Sequence, residues 1–271
     1  MLNFPPKRII CLTEETTETL YALGEEDRIV GISGFTVRPK IARKTKPKVS
    51  TYLDANIPLI KKLQPDIVFA WSDLQAGICE KLIKEGIPVL CFNHRTIEGI
   101  FSMIQTIGAL LQIYEKTDKY CIELRTKLQE YKEIGDSFKT KPKVYFEEWY
   151  DPLISGISWV SEIIELCGGD DIYKENRNFP DAKRRIISDN TEVVIKNPDI
   201  ILASWCGKAF KKEKVLLREH WNSITAVKEE QLFELHSSII LQPGPAAITE
   251  GANQISKILQ DWHSRKNNKN S

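Results

Sequence analysis

The sequence lacks most of the signatures by which enzymes are recognised. It has no glycine-rich phosphate loop, no paired-cysteine or His-Glu-x-x-His metal spacing, and no Gly-x-Ser-x-Gly nucleophile elbow. Histidine is scarce, with 4 in 271 residues, so few acid–base sites are open to the chain. We therefore predict a protein that is not an enzyme, that has no metal site and that requires no cofactor.

An excess of charge of one sign and a long apolar run are also missing. The 38 basic and 37 acidic residues nearly cancel, which gives no electrostatic reason to expect a nucleic-acid partner. No stretch approaches the roughly 18 apolar residues of a membrane span, so no membrane insertion is expected. The chain enters an apolar stretch at Ile9 without a signal-peptide region, and Ile10 before Cys11 does not fit lipoprotein processing.

These observations predict a cytoplasmic location. The alternative is a periplasmic protein from which an export segment has been removed. The 6 cysteines are scattered without paired spacing, which favours reduced core thiols over a disulfide framework and fits a reducing compartment.

A segment that occurs twice is the most informative feature of the sequence. Residues 63–71 and 196–205 each contain a polar residue, then Pro-Asp, an unbroken apolar run and a tryptophan. Pro-Asp marks a boundary, and a short apolar run after it is typical of a strand buried on both faces of a parallel sheet. Trp71 and Trp205 then lie just past the carboxyl ends of strands, where open α/β sheets bind ligands. The repeat predicts two similar lobes that face one cleft.

The order of strand-like and helix-like segments predicts an α/β fold. We expect two Rossmann-like lobes with central parallel sheets, joined by a long rigid interlobe helix. The predicted parts are an N-terminal lobe over residues 1–95, a helical linker over 96–140, a C-terminal lobe over 141–264 and a disordered tail over 265–271. Nothing in the sequence requires more than a monomer.

Aromatic residues at predicted strand ends are the first candidate ligand contacts. Large ligand pockets are mostly apolar and carry a few polar anchors, so exposed rings at strand ends indicate such a pocket. The competing interpretation is that some of these rings only cover the core. The candidates are Tyr52, Trp71, Trp149, Phe179 and Trp205.

Polar candidates lie in the same places. His94 and His236 follow predicted strands in opposite lobes and suit an axial ligand or a polar contact, although ordinary loop histidines look the same. Glu147 and Glu148 are adjacent on an extended segment and therefore point to opposite faces, so they cannot easily share a substrate. We expect one of them, Glu148, to accept a hydrogen bond from a ligand and the other to be a surface group.

The chain resembles a known family over nearly its whole length. The resemblance depends on Arg8–Ile10, Thr16–Gly24, Asp27–Gly31 and Leu63–Trp71 in the first half, and on Val160–Gly169 and Asn197–Ile201 in the second. These stretches are similar to the helical-backbone, or class III, substrate-binding proteins of ABC importers. That family carries vitamin B12, iron siderophores and haem, and the resemblance is nearest to its cobalamin-binding branch.

The resemblance implies a non-catalytic protein that holds a large corrinoid or an iron chelate between its lobes. It also implies an ABC importer permease as partner, and it matches Tyr52 and Trp71 to positions that sandwich cobalamin. Two departures stand out. The family is exported, and it docks through one exposed glutamate on each lobe, whereas residues 72–77 of this chain contain no glutamate.

Two other interpretations remain open. An enzyme on the same fold would use Cys206 as nucleophile with His236 or His94 as base. A metal receptor would use His94, His236 and Glu148 as ligands.

Overall fold

The computed structural model describes residues 4–269, which divide into two compact units. Within the described residues, unit 1 comprises residues 4–94, 98–124 and 243–245. Unit 2 comprises residues 95–97, 125–242 and 246–269. Each unit is built around its own five-stranded sheet.

All strand pairs in the sheet of unit 1 are parallel, and the strand order is β3-β2-β1-β4-β5. The strands are β1 (Ile9–Cys11), β2 (Ile29–Ser33), β3 (Lys48–Ser50), β4 (Ile67–Trp71) and β5 (Val89–Phe92). The connecting helices are α1 (Glu14–Ala22), α2 (Lys40–Thr45), α3 (Ile57–Lys62) and α4 (Ala76–Lys84). Every residue of the central strands β1 and β4 is buried, as expected of a sheet with helices on its faces.

The helical segment predicted over residues 96–140 forms two helices rather than one. They are α5 (Ile97–Leu111) and α6 (Tyr114–Asp136). Gln112 adopts a left-handed backbone with φ 57°, which interrupts the helical hydrogen bonds between them. A Cβ atom at Gly108 would lie 2.0 Å from Thr117 Oγ1, so only glycine permits this close packing of α6 on α5. The division between the units falls inside α6, after Leu124.

The sheet of unit 2 is mostly parallel, with the order β10-β9-β6-β7, and β8 also pairs with β6. The strands are β6 (Lys143–Tyr150), β7 (Leu153–Ser155), β8 (Asp170–Asp171), β9 (Ile200–Ala203) and β10 (Leu232–Glu234). The helices are α7 (Ser158–Leu166), α8 (Thr191–Lys196), α9 (Lys212–Leu216), α10 (Thr225–Lys228), α11 (Ser237–Ile240) and α12 (Ala252–Lys269). β7 is antiparallel to β6, a hairpin that the repeat did not predict.

The repeated Pro-Asp segment forms the same joint in both units. Gln64 and Asn197, the residues before each proline, have left-handed backbones with φ 46° and 45°. The Asp66 carboxylate accepts hydrogen bonds of 2.8 and 2.9 Å from the peptide N–H groups of residues 7 and 8, just before β1. The Asp199 carboxylate accepts one of 2.9 Å from the first peptide N–H of β6. Each joint therefore ties the entrance of β4 or β9 to the entrance of its neighbouring strand.

The predicted fold class is confirmed, since both sheets are mainly parallel and carry helices. The predicted disordered tail is corrected in part, because residues 265–269 continue helix α12. Arg265 donates to the Gln231 side chain, and Lys266 lies 3.8 Å from a Glu229 carboxylate oxygen, which hold this end of the helix in place. Residues 270 and 271 of that tail lie outside the described residues. None of the helices described between residues 4 and 269 is long and apolar enough to span a bilayer.

Candidate functional site

The carboxyl edge of the unit 1 sheet is held together by one buried amide. Gln75 Nε2 donates to the carbonyl oxygens of Leu12 and Tyr52, at 3.2 and 3.3 Å. Its Oε1 accepts from the peptide N–H of Trp71 at 3.0 Å. This side chain therefore joins the segments that follow β1 and β3 to the end of β4. Sequence reasoning missed Gln75, although its position four residues after the repeated tryptophan was a usable signal.

Trp71 and His94 lie on this edge, but both are already engaged. Trp71 is only 6% exposed, and its indole N–H donates to the His94 carbonyl at 3.3 Å. His94 Nε2 is 2.7 Å from the Pro243 carbonyl, to which it must be the donor. Tyr52 is half-buried at the same edge. His94 is also half-buried, so of these rings Tyr52 and His94 can offer surface to a ligand, whereas Trp71 is buried.

Two carboxyl groups are buried directly after β1. Glu14 is 5% exposed and Glu15 is 1% exposed. Burial raises the pKa of Glu14 to about 8, and the charge of Glu18 adds to the effect. Burial likewise raises the pKa of Glu15 to about 7, against a hydrogen bond from Thr13 that lowers it. At neutral pH, Glu14 is therefore mostly uncharged.

The carboxyl edge of the unit 2 sheet carries an array of aromatic rings. β6 and β9 are parallel neighbours, with Glu147 opposite Ala203, so Trp149 and Tyr150 end one strand where Trp205 follows the other. The ring centroids of Tyr150 and Trp205 are 4.4 Å apart, and those of Trp149 and Tyr150 are 5.0 Å apart. The structure thus brings the predicted residues Trp149 and Trp205 together through Tyr150, which the prediction omitted.

A cavity of about 330 Å³ opens beside these rings. It is lined by Tyr150, Trp205, Lys208, Ala209, Lys211 and Lys214. The Lys208 ammonium donates to the Tyr150 hydroxyl at 3.2 Å, and the Lys214 ammonium lies 3.9 Å from the Tyr150 ring centroid. Hydrogen bonds from these two lysines lower the pKa of Tyr150. The spacing of the lysines after Trp205 was a signal in the sequence that the prediction did not use.

Both acids of the Glu147-Glu148 pair are bound to arginines. The fully buried Glu147 carboxylate forms two bonds with Arg218, at 2.6 and 2.9 Å, and accepts a third of 2.9 Å from the Trp205 indole N–H. Glu148 forms two bonds with Arg185, at 2.6 and 3.1 Å. The expectation that one acid is a surface group is wrong for Glu147, because Arg218 compensates its buried charge. Glu148 remains a predicted ligand contact, although both its oxygens already accept bonds from Arg185.

The remaining predicted residues of unit 2 have structural surroundings of their own. Cys206 is exposed at the surface, but desolvation by the groups around it and the charge of Glu148 raise the pKa of its thiol, whereas a nucleophilic cysteine needs a lowered one. His236 Nδ1 is 2.8 Å from Ser238 Oγ and caps the start of α11. The Arg184 guanidinium lies 5.4 Å from the ring centroid of Phe179. Among residues 4–269, no group of three or more His, Cys, Asp and Glu side chains could hold a metal ion.

Known structures share this architecture of two mainly parallel sheets. A possible iron-binding, periplasmic solute-binding protein of Staphylococcus epidermidis superposes with a TM-score of 0.81 at 20% identity, covering 94% of this chain and 98% of that one. The periplasmic vitamin B12-binding protein of Vibrio cholerae gives a TM-score of 0.75 at 23% identity, covering 96% and 99%. The fold is that of substrate-binding proteins.

The sequence comparisons identify the family. The profile described as "Periplasmic binding protein" matches residues 9–239, and the chain belongs to this family. It is 30% identical over 267 residues to a vitamin B12-binding protein of Vibrio campbellii, and the match covers 95% of this chain and 92% of that protein. It is 28% identical over 271 residues to an ABC transporter substrate-binding lipoprotein of Bacillus subtilis, covering 94% and 80%.

These findings confirm the resemblance and the predicted substrate-binding function of the ABC-importer type. The family and its relatives are binding proteins rather than enzymes. The predicted cytoplasmic location is wrong, because the relatives are periplasmic or lipoprotein substrate-binding proteins. The prediction failed because it took the start of the chain as evidence about export, a property that a separate segment can supply.

Proposed function

We propose that this protein binds a corrinoid, of the cobalamin type, and passes it to the permease of an ABC importer. The observation that carries the proposal is the pair of half-buried rings Trp149 and Tyr150, packed on the buried Trp205, beside an open cavity at the carboxyl edge of the unit 2 sheet. Rings held at strand ends suit the face of a large flat ligand at little cost in side-chain entropy. The vitamin B12-binding relative supports the choice of ligand.

The contacts in unit 1 are proposed from its own edge. Tyr52 and His94 supply half-buried rings, and the buried Trp71 supports the edge through its indole hydrogen bond to the His94 carbonyl. In unit 2, Phe179 and His236 are further proposed contacts, while Glu148 and Cys206 remain predictions. We also propose that the protein works as a monomer, without a cofactor of its own. The permease partner is proposed from the transporter class of the Bacillus subtilis relative.

Calorimetric titration of the purified protein with cobalamin, with absorbance spectra alongside, tests the ligand. We expect micromolar or tighter binding, which corresponds to about 8 kcal/mol or more. Hemin and a ferric siderophore are titrated in parallel, because those ligand classes belong to the same wider fold. No heat and no spectral change with cobalamin would contradict the corrinoid proposal.

A ring deletion tests the proposed contacts. Trp149→Ala should weaken cobalamin binding at least tenfold, because it removes the ring that packs on Tyr150 and is proposed to contact the ligand. Tyr114→Ala is the matched control, because Tyr114 is an exposed ring at the start of helix α6, away from any strand end. Equal affinities of the two variants would remove Trp149 from the site.

We further propose that the protein does no chemistry on its ligand. The raised pKa of the Cys206 thiol supports this, because it disfavours the thiolate that an attack would need. Bound cobalamin should be recovered unchanged, and Cys206→Ser should bind it as tightly as the parent protein. Conversion of the ligand that disappears in Cys206→Ser would revive the enzyme interpretation.

A further inference from the structure

Three lysines line a cavity with an aromatic floor in unit 2. Lys208 Nζ is 4.9 Å from the Trp149 ring centroid and 3.2 Å from the Tyr150 hydroxyl. Lys214 Nζ stands 3.9 Å from the Tyr150 ring centroid, and Lys211 completes the wall of the same cavity. The cavity is therefore both basic and aromatic.

The positive charge of this cavity has no counterion among the residues that the structure describes. Within residues 4–269, no carboxylate lies within 4.0 Å of the ammonium group of any of the three lysines that line it. The carboxylates that could approach from β6 are bound to arginines, as described above for Glu147 and Glu148. On β10, Glu234 accepts the peptide N–H of Phe210 at 2.9 Å. Like charges held together without a partner favour an anion from outside.

The cavity also has the size and place of a ligand subsite. Its volume of about 330 Å³ exceeds that of a carboxylate or phosphate group and leaves room for part of a ring. It opens where β6 and β9 end, at the edge where parallel sheets bind ligands. Lys208 donates to the Tyr150 hydroxyl, and the ammonium groups of Lys208 and Lys214 lie over the Tyr150 ring, 5.4 and 3.9 Å from its centroid.

We propose that this cavity binds an oxyanion, a carboxylate or a phosphate, carried by the ring-like ligand. The inference depends on the proposed function for the identity of that ligand and deepens it by naming the charged group that is recognised. Ammonium groups form charge-assisted hydrogen bonds with such oxyanions, while the aromatic floor supports the adjoining ring. A corrinoid without an anionic group would leave the three lysine ammonium groups without a counterion.

Three corrinoids separate the possible anions. Cobalamin carries a phosphodiester, cobyrinic acid carries peripheral carboxylates, and cobinamide carries neither. Lys208→Met with Lys214→Met should weaken binding of the anion that the cavity recognises at least tenfold, and should leave cobinamide within about twofold. Lys212→Met is the matched control, because it removes the same charge from helix α9 at a residue that does not line the cavity. The affinity for the recognised anion should also fall with added salt in the parent protein more than in the double variant.

A second measurement does not depend on corrinoids. Inorganic phosphate is titrated into the parent protein, and the Tyr150 ring is followed by NMR. An oxyanion between the lysines should draw their hydrogen bonds away from the Tyr150 hydroxyl and shift its ring signals, and the double variant should show no such shift. If no corrinoid binds but phosphate shifts Tyr150, the proposed function fails while the anion site stands. Equal affinity of parent and double variant for all three corrinoids, with no phosphate shift, would overturn the anion site.

Discussion

The two sheets present the same scaffold with different polar partners at their carboxyl edges, uncharged or unpaired in unit 1 and ion-paired in unit 2. Each has the Pro-Asp joint at the entrance of its repeated strand and a buried tryptophan at the exit. In unit 1 the peptide N–H of Trp71 is held by the neutral Gln75 amide, and the nearby acids Glu14 and Glu15 are buried without an arginine hydrogen bond. In unit 2 the indole of Trp205 is held by a carboxylate, Glu147, which is compensated in turn by an arginine.

The difference shows which part of the repeat is constrained. The entrance of each strand is fixed by backbone geometry, because a proline, a left-handed residue and a carboxylate must meet there. The carboxyl end of each strand is fixed only by burial of its tryptophan, so the polar groups that bond to the tryptophan differ between the two units. Function therefore varies at the exits, while the entrances preserve the fold.

The largest difference between the edges should appear in the dependence of stability on pH. Because the folded pKa values of Glu14 and Glu15, about 8 and about 7, lie above the ordinary 4.5, the folded state holds these protons more tightly than the unfolded chain. Their stabilisation is complete below about pH 4.5 and is lost as the pH rises through 7 and 8. At about 1.4 kcal/mol for each pKa unit, the loss summed over the two acids is on the order of 8 kcal/mol.

The double variant Glu14→Gln with Glu15→Gln should make the free energy of unfolding depend less on pH, because an amide resembles the protonated acid and does not titrate. Chemical unfolding at a series of pH values measures it, and Glu192→Gln, an exposed change in unit 2, is the control. The groups that face the two acids are Glu18, Arg38 and Thr13. An unchanged slope in the double variant would assign the pH dependence to other groups.

Arg218→Met should produce the next largest effect, at the edge of unit 2. It leaves the fully buried Glu147 carboxylate without its cation, which costs about 3–5 kcal/mol of unfolding free energy. Adding Glu147→Leu should restore much of this loss, because the buried charge is then gone. Arg184→Met breaks an exposed pair with Asp181 and should cost less than about 1 kcal/mol. Equal losses in the two arginine variants would show that Glu147 is not truly desolvated.

The smallest effect should separate the two Pro-Asp joints. Asp66→Ala removes an acceptor of two peptide N–H groups and should cost about 2 kcal/mol of unfolding free energy. Asp199→Ala removes an acceptor of one and should cost about 1 kcal/mol. Replacement by asparagine keeps a neutral acceptor and should recover part of each loss. A larger cost at Asp199 than at Asp66 would contradict this ranking by the number of hydrogen bonds lost.

The sequence predicted what depends on local pattern and missed what depends on distant partners. The Pro-Asp repeat predicted both buried strands and placed Trp71 and Trp205 at their ends, because burial and backbone rules act on neighbouring residues. It could not predict that Glu148 binds Arg185, since the arginine comes from a polar loop without periodicity. Tyr150 was passed over in favour of the adjacent Trp149, although its ring contacts both Trp149 and Trp205.

The separation of the strand entrance from its exit places two of the cavity's three lysines on one continuous loop, residues 204–211. This loop begins after β9 and ends before α9, and it carries Trp205, Lys208 and Lys211. Because Ser204 and Trp205 bond to Glu147 of β6, transplanting the loop into a relative with the same Pro-Asp entrance also requires the β6 partner. Ligand preference in this architecture could then be recombined by moving one loop together with its β6 partner.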